Sequence, residues 1–260
     1  MNMLEGKVAF ITGGASGIGA GTARRFAQEG ARIVLADVQA EEGERVRSEI
    51  AGQGGEARYV TCDVSDPDSV RGAIEHTVTQ FGALNIVFAN AGINGMWAPV
   101  DELTPEEWGR TLSINLTGTY LTVHFAVPHL KRAGGGSILI TSSVNGTRTF
   151  STPGASAYST SKAGQVALMK MLALELGRHD IRVNAICPGL IHTNIGARTE
   201  QRHTEEIGIE VELPQGSPAL HGGEGDPVDV ADACLFLASD LGRHVSGVEL
   251  FVDGGASLLR

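Results

Sequence analysis

Two rhythms alternate along the chain. Short apolar runs recur at Lys7–Thr12, Arg32–Ala36, Ala57–Cys62, Ile86–Ala89, Ser137–Thr141, Arg182–Ile186 and Glu249–Val252. Between them lie segments of helical composition. Ala20–Glu29 is closed by Gly30 in the manner of a C-cap, and a charged helix is predicted at about Ala40–Ala51. Another starts at Pro67 behind Asp66 as N-cap, and Val228–Ala238 is a further one. A longer helix is predicted from about Thr104 to Arg132, with Thr104 and Glu107 spaced as a capping box and Gly109, Gly118 and Pro128 as expected bend points. A helix also carries Tyr158 and runs through Leu176. Continuous apolar runs are strands covered on both faces, and strands joined by helices pair in parallel through right-handed crossovers. The expected architecture is α/β: one doubly wound domain over residues 1–260, a seven-stranded parallel sheet with helices on both faces. One irregular stretch, Leu190–Asp226, is too long for a passive connection and is the expected substrate lid.

Composition narrows the partners more than the fold. Hydrophobic residues make up 42% and charged residues 19%, enough apolar material for a core on both sides of a sheet. A net charge of −10 without clustered Lys or Arg disfavours nucleic acid and anionic membranes. Met1–Lys7 lacks a basic region followed by an apolar run, and no apolar stretch approaches spanning length, so a cytoplasmic location is expected. Cys62, Cys187 and Cys234 have no CxxC spacing and the eight histidines no HExxH spacing, so no disulfide framework and no metal site is expected.

The candidate chemistry lies where the rhythms change. Gly13, Gly17 and Gly19 follow the first apolar run in a GxxxGxG spacing, which lets the backbone turn sharply beside a pyrophosphate at a helix N-terminus. Ser16 and Ile18 would offer backbone or hydroxyl groups there. Asp37 ends the second strand, where a carboxylate accepts hydrogen bonds from ribose hydroxyls and repels a 2′-phosphate, selecting NAD over NADP; Ser16 and Val38 are uncharged. Tyr158 and Lys162 are four residues apart on one helix face, so the ammonium is expected to lower the phenol's pKa from about 10. One such group can act as both base and acid in alcohol/ketone interconversion. A hydroxyl at the end of the preceding strand can bond the reacting oxygen, and Ser143 is assigned, with Ser142 as the alternative. Asn115 falls inside a predicted helix, where asparagine is an indifferent helix former, suggesting a bend or a side-chain role.

Together these motifs resemble the short-chain dehydrogenase/reductase family over nearly the whole chain. Thr12–Gly19 looks like its TGxxxGxG loop, Asn90-Ala91-Gly92 like its NAG element, Tyr158 and Lys162 like its YxxxK signature, and Pro188-Gly189 with Thr193 like its PGxxxT stretch. The resemblance implies a Rossmann-type NAD-binding fold. It also implies adenine contacts from Asp63 and Val64, a groove lined by Asn90, Ala91 and Gly92, and Ile191 and Thr193 at the carboxamide end. Lys162 would hold the nicotinamide ribose and Asn115 a water in a proton relay. The family's serine usually stands about thirteen positions before the tyrosine, where this chain has Asn145, so the loop is two residues longer here. Homotetramers are common in the family, and Ala163, Ala167, Met171 and Leu174 form a helix flank that suits either an interface or the core. Met96 and Trp97 suit an apolar substrate wall or a loop anchor equally, and Arg148 reads as a solvated charge. The expected function is an NAD-dependent dehydrogenase of a small secondary alcohol. The alternatives are a 3-oxoacyl carrier-protein reductase, which needs a basic patch for its acidic carrier, and a catalytically silent NAD-binding scaffold.

Overall fold

The computed structural model describes residues 2–209, 220 and 223–259; residues 210–219 and 221–222 of the expected lid lie outside the described residues. In chain order the strands are β1 Val8–Thr12, β2 Arg32–Asp37, β3 Glu56–Thr61, β4 Ile86–Ala89, β5 Met96–Trp97, β6 Gly136–Thr141, β7 Ile181–Pro188, β8 Glu200–Gln201 and β9 Glu249–Val252. The α-helices are α1 Gly17–Gln28, α2 Ala40–Gly52, α3 Pro67–Phe81, α4 Pro105–Leu112, α5 Gly118–Arg132, α6 Ser156–Gly177 and α7 Pro227–Ala238. Seven strands form one sheet in the order β3-β2-β1-β4-β6-β7-β9, every pair parallel.

Each strand feeds two cores because successive side chains face opposite ways. Along β1, Val8 and Phe10 join the cluster beneath α3, α5 and α6, while Ala9 and Ile11 join that beneath α1, α2 and α7. Phe10, Phe26 and Phe88 are among the largest fully buried side chains, each stabilising the fold by roughly 1.5–3 kcal/mol.

The predicted caps at Asp66 and at Thr104 with Glu107 are present. Two expectations are corrected. The helix expected from Ala20 starts at Gly17, because the glycine loop turns directly into it. The helix expected from Thr104 to Arg132 is not continuous: Ser113–Thr117 forms a π-helical turn between α4 and α5. The interruption falls at none of the three expected bend points, and Asn115 lies in the middle of it.

The strand order reverses beside β1, whose neighbours are β2 and β4. A crevice opens there beyond the carboxyl ends of the strands, where ligands bind in sheets of this type. Asn90 ties three strand ends around it. Its Nδ2 donates to the Thr12 carbonyl at 3.1 Å, its N–H to Thr12 Oγ1 at 3.0 Å, and its Oδ1 accepts from Thr141 Oγ1 at 3.0 Å.

Candidate active site

A cavity of about 1500 Å³ follows this crevice from Asp37 to Tyr158 and Lys162. Its floor is backbone that side chains would obstruct. A Cβ on Gly13 would stand 2.9 Å from the Ala91 Cα, and one on Gly19 would run into the Gly13 carbonyl oxygen. Gly17 has φ +51°, and a Cβ there would approach Thr193 Cγ2 at 3.2 Å. Ser16 precedes α1 without spending its hydroxyl on a cap. Asp37 is buried, with Oδ2 accepting the Ala15 N–H at 3.0 Å and Oδ1 the Gln39 N–H at 3.0 Å. Ser16, Ile18, Val64, Asn90, Ala91, Gly92, Pro188, Gly189, Ile191 and Thr193 line the same cavity. Asp63 also lines it, and its Oδ1 holds a turn by accepting from the Ser65 N–H and hydroxyl at 2.9 and 2.7 Å. A floor of glycine backbone, a helix N-terminus and a buried carboxylate at one end fits an extended dinucleotide.

At the other end, β6 leads into Ser142 and Ser143, and the first two turns of α6 deliver Tyr158 and Lys162. The two serine hydroxyls differ. Ser142 donates to the Lys162 carbonyl at 2.8 Å and so fastens the strand end to α6. Ser143 accepts the Asn145 N–H at 3.1 Å and lines the cavity together with Tyr158.

Burial raises the Tyr158 phenol above its usual value, and the Ser143 hydroxyl works in the opposite direction. Lys162 is not among the causes of that shift, contrary to the expected depression. The physical reason is placement: Nζ lies 5.5 Å from the Tyr158 ring centroid and donates to the Thr141 carbonyl at 2.8 Å. Burial in turn pushes the Lys162 ammonium down to about 8.

Asn115 is fully buried. Its Oδ1 accepts the Ile93 N–H at 2.8 Å, and its Nδ2 donates to the Ile93 carbonyl at 2.8 Å and to Ser161 Oγ at 3.0 Å. Its carbonyl accepts from Gln165 and Thr119 at 2.8 and 2.7 Å, bonds made to a π turn whose own ladder is broken. Gly92 sits between Asn115 and Lys162: a Cβ there would be 3.2 Å from Asn115 Oδ1 and 3.6 Å from Lys162 Nζ.

Several contacts over the cavity had no local signal in the sequence. Met96–Trp97 pairs with Glu200–Gln201 as a small parallel ladder, and Trp97 also lines the cavity. Asn94 donates to Thr199 at 2.7 Å. Arg202 forks onto Glu107 at 3.1 and 2.9 Å, and His203 pairs with Glu102 at 2.8 Å. Arg198 donates to Gln39 Oε1 at 2.7 Å, bringing a cation near the Asp37 end from a segment 159 positions away. Arg148 is exposed and lies 3.5 Å over the Phe251 ring. Among the described residues, no group of three or more His, Cys, Asp or Glu could hold a metal ion, and no helix is long and apolar enough to cross a membrane.

Comparison with known proteins agrees with this geometry. The family model described as enoyl-(acyl carrier protein) reductase matches residues 13–257. The chain is 39% identical over 257 residues to 2,5-dichloro-2,5-cyclohexadiene-1,4-diol dehydrogenase LinX of Sphingobium indicum, covering 99% of this chain and 98% of the relative. A solved 3-ketoacyl-ACP reductase from Sinorhizobium meliloti superposes with TM-score 0.93 at 51% identity, covering 97% of this chain and 100% of the other. A 3-ketoacyl-(acyl-carrier-protein) reductase from Brucella melitensis, solved in complex with NADH, has TM-score 0.85 at 34% identity, covering 98% and 99%. The chain belongs to the short-chain dehydrogenase/reductase family and is an oxidoreductase of that family.

Proposed function

We propose that the protein interconverts a secondary alcohol and its ketone with NAD(H), using Tyr158 as acid and base, Ser143 to hold the reacting oxygen, and Lys162 and Asn115 in support. The observation that carries this reading is the presence of Ser143, Tyr158 and Lys162 together at one end of a cavity that has Asp37 at the other. Gly13, Ser16, Gly17, Ile18 and Gly19 would cradle the pyrophosphate and Asp37 the adenosine ribose. Asp63 and Val64 would meet adenine, and Asn90, Ala91 and Gly92 would line the middle. Tyr158 and Lys162 would meet the nicotinamide ribose, with Pro188, Gly189, Ile191 and Thr193 around the ring. When bound, the nicotinamide supplies the hydride acceptor or donor.

The protein's own work is on the proton. In oxidation the substrate hydroxyl gives its proton to Tyr158, and in reduction Tyr158 returns one to the ketone oxygen. The Ser143 hydroxyl donates to that oxygen as charge develops on it. Lys162, with Nζ 5.5 Å from the Tyr158 ring centroid, serves the site by holding the nicotinamide ribose. Asn115 fixes the Ile93 backbone beside Gly92 and so keeps the cavity wall in place.

The same reading covers the whole molecule: one catalytic domain, residues 190–226 as its lid, a homotetramer, and a cytoplasmic location. Ala167, Met171 and Leu174 are exposed on α6, an apolar strip that suits a second copy of the chain.

The 51% identity to a 3-ketoacyl-ACP reductase favours a second reading, reduction of a 3-oxoacyl thioester. Against it stand the buried Asp37, which opposes NADP, and a net charge of −10, which opposes an acidic carrier protein. One experiment tests both. Secondary alcohols with NAD and NADP are assayed beside a 3-oxoacyl carrier-protein substrate, in the native enzyme and in Tyr158→Phe. Alcohol turnover with NAD is expected, falling by about 10³-fold in the variant while NADH binding persists. Appreciable turnover by Tyr158→Phe, or a preference for the carrier-bound substrate, contradicts the assignment.

A further inference from the structure

We propose that Gln165 is a positioning residue for the reaction: from outside the cavity it sets where the π turn at Ser113–Thr117 stands relative to the helix that carries Tyr158 and Lys162. This rests on the dehydrogenase reading above and adds a residue to its machinery.

Tyr158, Lys162 and Gln165 lie at i, i+4 and i+7 on α6 and so share one face. Gln165 is fully buried and is not among the residues that line the cavity. Its Nε2 spends both hydrogens in one place. It donates to the Asn115 carbonyl and to Thr119 Oγ1, each at 2.8 Å, and the Thr119 hydroxyl donates to the same carbonyl at 2.7 Å. Three polar groups thus close a triangle around one backbone oxygen of the π turn. The Gln165 Oε1, by contrast, has no partner among the described residues. A buried acceptor left unpaired costs stability, and methionine or leucine would occupy the position without that cost. What the amide supplies in return is its pair of N–H groups, and both serve the turn.

The Asn115 side chain is what the turn presents. It bonds both sides of the Ile93 backbone at 2.8 Å and reaches Ser161 Oγ at 3.0 Å. Ser161 in turn donates to the Tyr158 carbonyl at 2.6 Å. Gly92, next to Ile93, stands against Lys162, since a Cβ there would be 3.6 Å from Nζ. Asn115 therefore joins the cavity wall after β4 to the part of α6 that carries Tyr158. Gln165 fixes the backbone from which that side chain springs. Without its two bonds the turn is free to shift along α6 and take the wall with it, and a misplacement of about 1 Å remote from the chemistry costs up to about 10²-fold in rate. Thr119 alone still holds the carbonyl, so the expected loss is smaller.

The test is a double-mutant cycle read in kcat, because a residue that acts through Asn115 has nothing left to act on once that side chain is gone. kcat and the KM for NAD are measured for the native enzyme, Gln165→Met, Asn115→Ala and the double variant, on the secondary alcohol that the native enzyme oxidises fastest. Gln165→Met is expected to lower kcat by about tenfold with the KM for NAD within about twofold of native, and to lower kcat by less than about twofold in the Asn115→Ala background. A loss of structure would instead multiply in the double variant. That multiplication, or an unchanged kcat in Gln165→Met, overturns the proposal and leaves the dehydrogenase reading standing. Should Gln165→Met fail to fold, Thr119→Val removes the other donor to the same carbonyl and runs the same cycle in milder form, with the same two outcomes against the proposal. A native enzyme that binds NADH and oxidises no secondary alcohol overturns both.

Discussion

The floor and the roof of the cavity are built on opposite principles. The floor is strand ends and glycine turns fixed by buried, mostly neutral hydrogen bonds such as those of Asn90, Ser142 and Asn115. The roof, residues 190–209, adds to the short β5–β8 ladder a set of partly exposed side-chain ties: Arg198 to Gln39, Arg202 to Glu107 and His203 to Glu102. Buried bonds keep their strength in any buffer, whereas exposed pairs contribute little each and weaken with salt. A floor of this kind sets geometry, and a roof of this kind opens at small cost. Loops that must admit ligand are drawn from the less stable end of a structure for that reason.

The sharpest way to break this contrast is within the floor, where two adjacent serines have different duties. Ser143→Ala is expected to lower kcat by about 10²–10³-fold with little change in melting temperature. Ser142→Ala should lower the melting temperature by an amount equivalent to about 1 kcal/mol and spare most of kcat. Equal losses of kcat in the two variants would erase the distinction.

A smaller effect is expected where floor and roof meet. Asp37→Ser removes the carboxylate but leaves the Arg198 guanidinium nearby, so NADP should gain on NAD by about 10–100-fold in kcat/KM. Adding Arg198→Gln should return part of that gain. Selectivity unmoved by Asp37→Ser would remove Asp37 from cofactor choice.

The smallest expected effect belongs to the roof alone. Glu102 raises the His203 pKa above its usual value of 6.5, through a hydrogen bond first and charge attraction second. A raised histidine pKa means an attraction fully present below about 6.5 and lost as pH rises through the higher folded value. Substrate KM should therefore climb a few-fold at most as pH increases through that range, and Glu102→Gln should flatten the climb. The Arg202–Glu107 pair persists across the range and limits the change. A KM independent of pH in the native enzyme would separate this pair from lid closure.

What the sequence made legible follows the range of the forces involved. The seven strands of the main sheet are visible because each is a local apolar run, and the caps at Asp66 and Thr104 because they are set within a few residues. Tyr158 and Lys162 are likewise one helical turn apart. β5 and β8, two residues each, carry no periodicity to read. The Arg198–Gln39 contact joins positions that nothing local connects. The neighbouring hydroxyls of Ser142 and Ser143 are alike as sequence and are separated only by which one α6 consumes. Spacing alone does not report how Lys162 acts on Tyr158, because the ammonium is buried and turned to the Thr141 carbonyl.

The π turn at Ser113–Thr117 has a consequence for how this chain tolerates change. An α-helix advances about 100° per residue, and a π turn carries one residue too many for that rhythm. Deleting a single amino acid there would heal the ladder and give a straighter, locally sounder helix, while swinging the Asn115 amide away from Ile93. Length itself is therefore under functional constraint at this place: the surplus residue looks like a defect to the helix and is indispensable to its neighbour.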